Sequence, residues 1–233
     1  MRNETKGYIL KEYGAWSVLI IAYLIGLGVS RGFTWQAIPV FLALALLINA
    51  KQAFMKWSRR PSVRKPLVIF LVHIAVAALI FVTVFGSDIL MLLPLLVFPA
   101  AYLALNRLAG EHFVLTEALG FILISLAAVL AKFTITGGVD IRLLVAVALY
   151  FTAGVFKVKA VLLKKTRDRV VTALYVVFAA IVYQRFHIAL IALLPLADNL
   201  IVAATLYRVK LQTTGWIEVA KSLLFLALMV LYF

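Results

Sequence analysis

Long apolar runs recur from one end of the chain to the other, and a backbone inside such runs has to satisfy its own hydrogen bonds. Phe41 to Ile48 and Ile89 to Ala104 contain no charged residue and no alternation of apolar with polar positions. Only helices and closed barrels satisfy every backbone group within lipid. A helix needs about 20 mostly apolar residues to cross, whereas a barrel strand alternates over about 10. The continuous runs exclude the barrel. With 66% hydrophobic residues and a mean hydropathy of +1.11, the chain lacks the polar residues to build a water-facing shell; soluble domains run at about 45–50% apolar. The expected fold class is all-α, a polytopic membrane protein.

The breaks between runs hold turn formers or charges: Arg31-Gly32, Gly86-Ser87-Asp88, Gly137-Gly138 and Thr213-Thr214-Gly215. They delimit about nine predicted transmembrane helices, over 14–29, 35–54, 66–85, 89–105, 114–132, 139–163, 170–183, 188–207 and 216–233. The connections are short, so residues 1–233 are expected to form one transmembrane domain. Met1 to Glu12 is short and mixed in charge, and the first run is expected to be a retained helix rather than a cleaved signal.

The formal net charge is +14. On a soluble chain this would point to nucleic acid; here it bears on sidedness, because cytoplasmic loops carry the excess of Lys and Arg. With the N-terminus inside, the outside segments hold only Arg31, Lys132, Arg142 and Arg185 of the 23 basic residues, and Lys221 lies within the ninth helix. The predicted orientation is N-in, C-out. The two largest basic clusters follow helices 2 and 6, four helices apart. This predicts two four-helix halves, 12–108 and 112–208, plus a ninth helix over 216–233.

An ionisable group inside a span is expensive and is by default a candidate for function. On this topology Glu12, Asn49, Asn106, Arg107, Glu117, Lys157, Asp198, Arg208 and Glu218 fall in the cytoplasmic half and could line one inward-facing cavity. Arg59, Arg60 and Lys159 lie at its rim. Structural roles compete for several of them. Glu117 suits the dipole at the start of helix 5. Glu218 and Lys221 stand three apart on one helix face and can neutralise each other. Lys157 and Lys159 can snorkel to the headgroups, and His73 can simply be hydrogen-bonded. Asp198-Asn199, after Pro195, is harder to assign to structure alone. Basic groups above an apolar interior suit an amphiphile with a phosphate or pyrophosphate head.

Several chemistries have no residues to carry them. There is no cysteine, which removes disulfides, thiolate metal sites and a cysteine nucleophile. No closely spaced carboxylates suit Mg²⁺, no His or Glu spacing suits zinc or di-iron, and no Walker A or Gly-x-Ser-x-Gly motif occurs. No cofactor, no metal and no nucleic-acid partner are expected.

Lys11-Glu12-Tyr13-Gly14-Ala15-Trp16 resembles the N-terminal Lys/Arg-Glu-His-Gly-Ala-Trp signature of the YwiC-like family of bacterial and archaeal membrane proteins, with Tyr13 where that family has His. Thr214-Gly215-Trp216-Ile217-Glu218 resembles the family's C-terminal helix, and Tyr150 to Leu163, with Lys157 and Lys159, its basic end of helix 6. The resemblance implies a prokaryotic cytoplasmic membrane and carries no assigned function.

More distantly, the architecture is similar to the UbiA superfamily of intramembrane prenyltransferases, which implies a nine-helix bundle with active-site loops after helices 2 and 6. The Asp-rich motifs of those enzymes are missing: if Asn49 is the motif's Asn, Ala53 and Trp57 stand at its Asp positions, and Lys157, Lys159, Lys164 and Lys165 replace the second motif. The expectation is therefore a UbiA-like bundle binding an anionic isoprenoid or phospholipid without Mg²⁺ chemistry. A transporter or channel for a small anion or metabolite, with Glu12, Asp198 and Glu218 carrying protons, is the alternative, and a structural partner subunit is a third.

Overall fold

The computed structural model describes residues 13–59, 62–205 and 211–233. Among them are nine α-helices and no strand. They are α1 (Tyr13–Val29), α2 (Ala37–Arg59), α3 (Arg64–Phe85), α4 (Val97–Ala109), α5 (Val114–Thr136), α6 (Ile141–Leu163), α7 (Thr166–Arg185), α8 (Ala197–Thr205) and α9 (Leu211–Tyr232). Among the described residues, five stretches are long and apolar enough to cross a membrane: Ala37–Arg59, Arg64–Ala109, Val114–Thr136, Ile141–Leu163 and Thr213–Tyr232. Gly14–Val29 and Leu190–Thr205 are apolar but shorter. The protein is thus an all-helical integral membrane protein.

Two of the predicted spans are not continuous α-helices. Residues Gly86–Leu96 and Leu190–Leu196 run as 3₁₀ helix, with Pro94 and Pro195 inside them, before α4 and α8 begin. Proline has no N–H for an α-helical ladder and its ring crowds the preceding turn. Each 3₁₀ segment ends within two residues of its proline. The order of two long helices, a proline-bearing 3₁₀ segment and a short helix occurs twice, over α2–α4 and α6–α8. α2 and α6 have the same length, 23 residues.

The core lies where α1, α5 and α6 meet. α1 packs along α5, and Gly26 makes that approach possible: a Cβ there would stand 2.1 Å from the Ala128 carbonyl oxygen. Facing alanines Ala22, Ala127, Ala128 and Ala131 are fully buried. Small residues that bring backbones close drive helix association in lipid, where the hydrophobic effect between helices is absent. On its other side α1 meets α9, with Gly28 against Val230.

Around this centre α2 pairs with α3, α4 with α5, α6 with α7 and α7 with α8, and the second 3₁₀ segment lies on α9. Side-chain hydroxyls on α7 bind carbonyls of α6: Thr172 donates to Phe156 at 3.0 Å, Tyr175 to Leu149 at 3.1 Å and Tyr183 to Ala146 at 2.8 Å. Arg169, also on α7, donates to the Ala203 and Ala204 carbonyls near the end of α8, where a helix leaves its last carbonyls without partners. At the α5–α6 turn, Gly137 takes a left-handed conformation at φ 65°. Asp140 then caps α6, accepting from Leu143 N–H at 3.0 Å and from Lys132 Nζ at 2.7 Å. By contrast α3, the first 3₁₀ segment and much of α4 expose Leu71, Val72, Leu79, Val82, Leu90, Leu93, Leu96 and Val97, a surface suited to lipid.

Candidate functional site

Charged side chains gather at one end of the molecule, where α2, α4 and α6 finish and α5 and α9 begin. The most buried group joins three elements. Lys157, on the last turns of α6, donates to Asp198 Oδ2 on α8 and to Glu218 Oε1 on α9. Lys221, one turn along α9, donates to the same Asp198 oxygen at 3.0 Å, to Asn199 Oδ1 at 2.8 Å and to Glu218 Oε1 at 3.2 Å. Among the described residues, two lysines and two carboxylates thereby form a ring of alternating charge. The Lys157 and Lys221 side chains are 5% and 10% exposed, and that of Glu218 is 41% exposed. Asn199, 1% exposed, locks the ring to α6 through its amide, which donates to the Ala153 carbonyl at 3.2 Å. Tyr150 of α6 stacks on Phe225 of α9 one layer deeper, with ring centroids 3.7 Å apart.

A second set spans the start of α5 and the end of α6. Lys159 Nζ lies 3.0 Å from Glu117 Oε2 and donates to the His112 carbonyl at 3.4 Å; the His112 ring is 3.8 Å from Glu117. A third set surrounds the end of α2. Glu111, from the α4–α5 connection, lies 3.4 Å from both Lys51 and Arg59. Lys51, Gln52, Met55, Lys56, Arg59 and Glu111 line a cleft of about 250 Å³. Asn106, buried at the end of α4, reaches it from behind, with its amide 3.2 Å from Met55 Sδ and 3.3 Å from the Tyr102 hydroxyl. Among the described residues, three cations and one carboxylate line this cleft, in contrast to the ring.

The sequence-predicted residues therefore divide. Lys157, Asp198 and Glu218 come together in the ring, Glu117 and Lys159 pair beside it, and Arg59 and Asn106 belong to the cleft. Asn49 donates to the Ala45 carbonyl of its own helix at 3.0 Å, and Arg107 is exposed at the end of α4. His73 is bonded to the Ile69 carbonyl of its own helix at 2.7 Å. Glu12, Arg60 and Arg208 lie outside the described residues. Sequence reasoning treated Lys221 only as a neighbour of Glu218 and passed over Lys51, Lys56 and Glu111 as site residues. Lys221 carried a signal, being a lysine within an apolar helix. Glu111 carried the same kind of signal, an ionisable residue at the opening of the fifth helix, but its partners are far away in sequence. Among the described residues no three His, Asp or Glu side chains converge in a set that could hold a metal ion.

The first part of the chain decides the family. The YwiC-like protein family matches residues 9–132, more than half of the sequence. The chain belongs to the YwiC-like family. The matched portion of this YwiC-like chain contains the whole cleft, from Lys51 to Glu111, whereas the charged ring is built from residues beyond it. No curated protein and no solved structure matches the chain.

Proposed function

We propose that this YwiC-like protein binds a phosphate- or pyrophosphate-bearing amphiphile, an anionic phospholipid or isoprenoid, with the headgroup in the cleft at the end of α2. The observation that carries this reading is the lining: Lys51, Lys56 and Arg59 against the single carboxylate of Glu111. Three cations stand there with one carboxylate among the described lining residues, and Arg and Lys are the natural partners of phosphate oxygens. The neighbouring apolar helix surfaces would take the tail.

In this reading the cleft faces the cytoplasm of a prokaryotic cell, with the N-terminus inside and the chain crossing nine times. The two halves, 12–108 and 112–208, are copies of one plan resembling the UbiA bundle. Lys157 and Lys159, which the sequence places among the anion binders, each stand against carboxylates of the protein itself. The headgroup is accordingly assigned to the α2 cleft.

The test is mass spectrometry of lipids that copurify with the full chain, beside a Lys56→Gln/Arg59→Gln variant. Enrichment of a phosphorylated lipid in the wild type, lost in the variant, is the expected result. Identical bulk lipid in both would sink the assignment. It would favour transport of a small anion or metabolite, the reading supported by the charges buried between α6, α8 and α9, and proteoliposome flux under a pH gradient would then be measured.

A further inference from the structure

We propose that Lys157 and Lys221 form a second anion site, separate from the α2 cleft, which Glu218 fills as a tethered carboxylate until a monoanionic headgroup displaces it. The connectivity of the ring makes Glu218 the member able to leave. Without it Lys157 keeps Asp198, and Lys221 keeps Asp198 and Asn199, so neither buried lysine is stranded. Asp198 cannot take that role. Its Oδ2 serves both lysines, and the next residue, Asn199, is anchored to α6. Exposure agrees, since Glu218 is 41% exposed where Lys157 is 5% and so has water or headgroups to move into.

The charge balance fixes the class of ligand. Glu218 contributes one negative charge, and an uncompensated charge at a buried site is costly. One-for-one replacement calls for a monoanion, a phosphodiester or a carboxylate. A phosphomonoester dianion in place of Glu218 would leave Lys157, Lys221, Asp198 and the ligand net negative.

The test is native mass spectrometry of the full chain in neutral detergent with short-chain phosphatidylglycerol, with glycerophosphoglycerol as the tail-free headgroup. Glu218→Gln is expected to bind phosphatidylglycerol at least about tenfold more tightly than wild type, as when the competent fraction rises from about a tenth to near unity. The gain should vanish in Lys157→Gln/Glu218→Gln and persist when Lys56→Gln/Arg59→Gln is added to Glu218→Gln. An equal gain for glycerophosphoglycerol supports the site and assigns it a soluble phosphodiester; a gain for the lipid alone supports it with a lipid ligand. Unchanged affinity in a folded Glu218→Gln protein overturns the proposal, as does a gain that disappears with Lys56 and Arg59. Should Glu218→Gln not fold, Glu218→Asp, which keeps the charge but shortens the tether, is expected to shift affinity in the same direction, and no shift overturns the proposal.

Discussion

Lys157 is a charge that the fold holds away from water, and its removal should cost far more than removal of its exposed partner. Lys157→Met leaves two carboxylates to one lysine at a buried position, where breaking a pair costs about 3–5 kcal/mol. Glu218→Gln removes a half-exposed charge and leaves Asp198 to both lysines, so it should cost less than the loss of Lys157. Thermal unfolding in detergent should rank the variants in that order, with the double variant Lys157→Met/Glu218→Gln recovering much of the loss. Equal effects would mean that Glu218 is as tightly built in as Lys157. Asp140, at the other end of α6, makes a separate prediction. Burial pushes its carboxyl up, but the hydrogen bonds from Lys132 and the Leu143 N–H and the charge of Lys132 outweigh it and hold the group below the usual carboxylate range. A depressed pKa stabilises the fold above the ordinary carboxylate pKa, and that share is lost as pH falls through the depressed value. Asp140→Ala should therefore cost about 1–2 kcal/mol near neutrality, the value of a helix cap. The gap in melting temperature between variant and wild type should close in acid.

At the scale of elements, the tightest joint is α1 on α5. The Gly26 Cα faces the Ala128 carbonyl, and a side chain has nowhere to go except into backbone. Gly26→Val is expected to abolish the stable bundle, since overpacking alone costs about 1–3 kcal/mol and here the obstacle cannot rotate away. Gly138, with open space around its Cβ position, is the matched control: Gly138→Ala should leave expression and melting unchanged. The 3₁₀ segments are the elements that sequence periodicity mistakes most readily. Their apolar composition is that of a transmembrane helix, and only Pro94 and Pro195 mark the change of winding. Hydropathy sees lipid-compatible surface and is blind to the hydrogen-bond pattern beneath it.

For the whole molecule, the decisive prediction concerns sides. If the charged end is cytoplasmic, a single cysteine placed at Lys164 should react with a permeant maleimide and be shielded from an impermeant one in intact cells. One at Gly138 should react with both. The chain has no native cysteine, so no background labelling intervenes. The reverse pattern would invert the orientation and place both anion sites outside.

Much of this architecture follows from local chemistry. Long uncharged runs require helices in lipid, glycines and charges set the breaks, and the N-terminal Lys11 to Trp16 signature points to the family through residues adjacent in the chain. Single charges inside apolar helices, Lys157, Asp198, Glu218 and Lys221, were visible as costly and so as candidates. The partner of each was not visible. Whether a lysine in a helix snorkels, binds an anion or closes a ring with two carboxylates depends on which helix lies across from it, and that is fixed by close packing such as Gly26 on Ala128 and Asn199 on Ala153. The sequence by itself determined an all-helical membrane protein with its charges gathered near helix ends. Tertiary structure alone decided that Lys157 stands between two carboxylates and that Lys51, Lys56 and Arg59 gather around Glu111, because electrostatic balance is set by distances across helices and not by spacing along one.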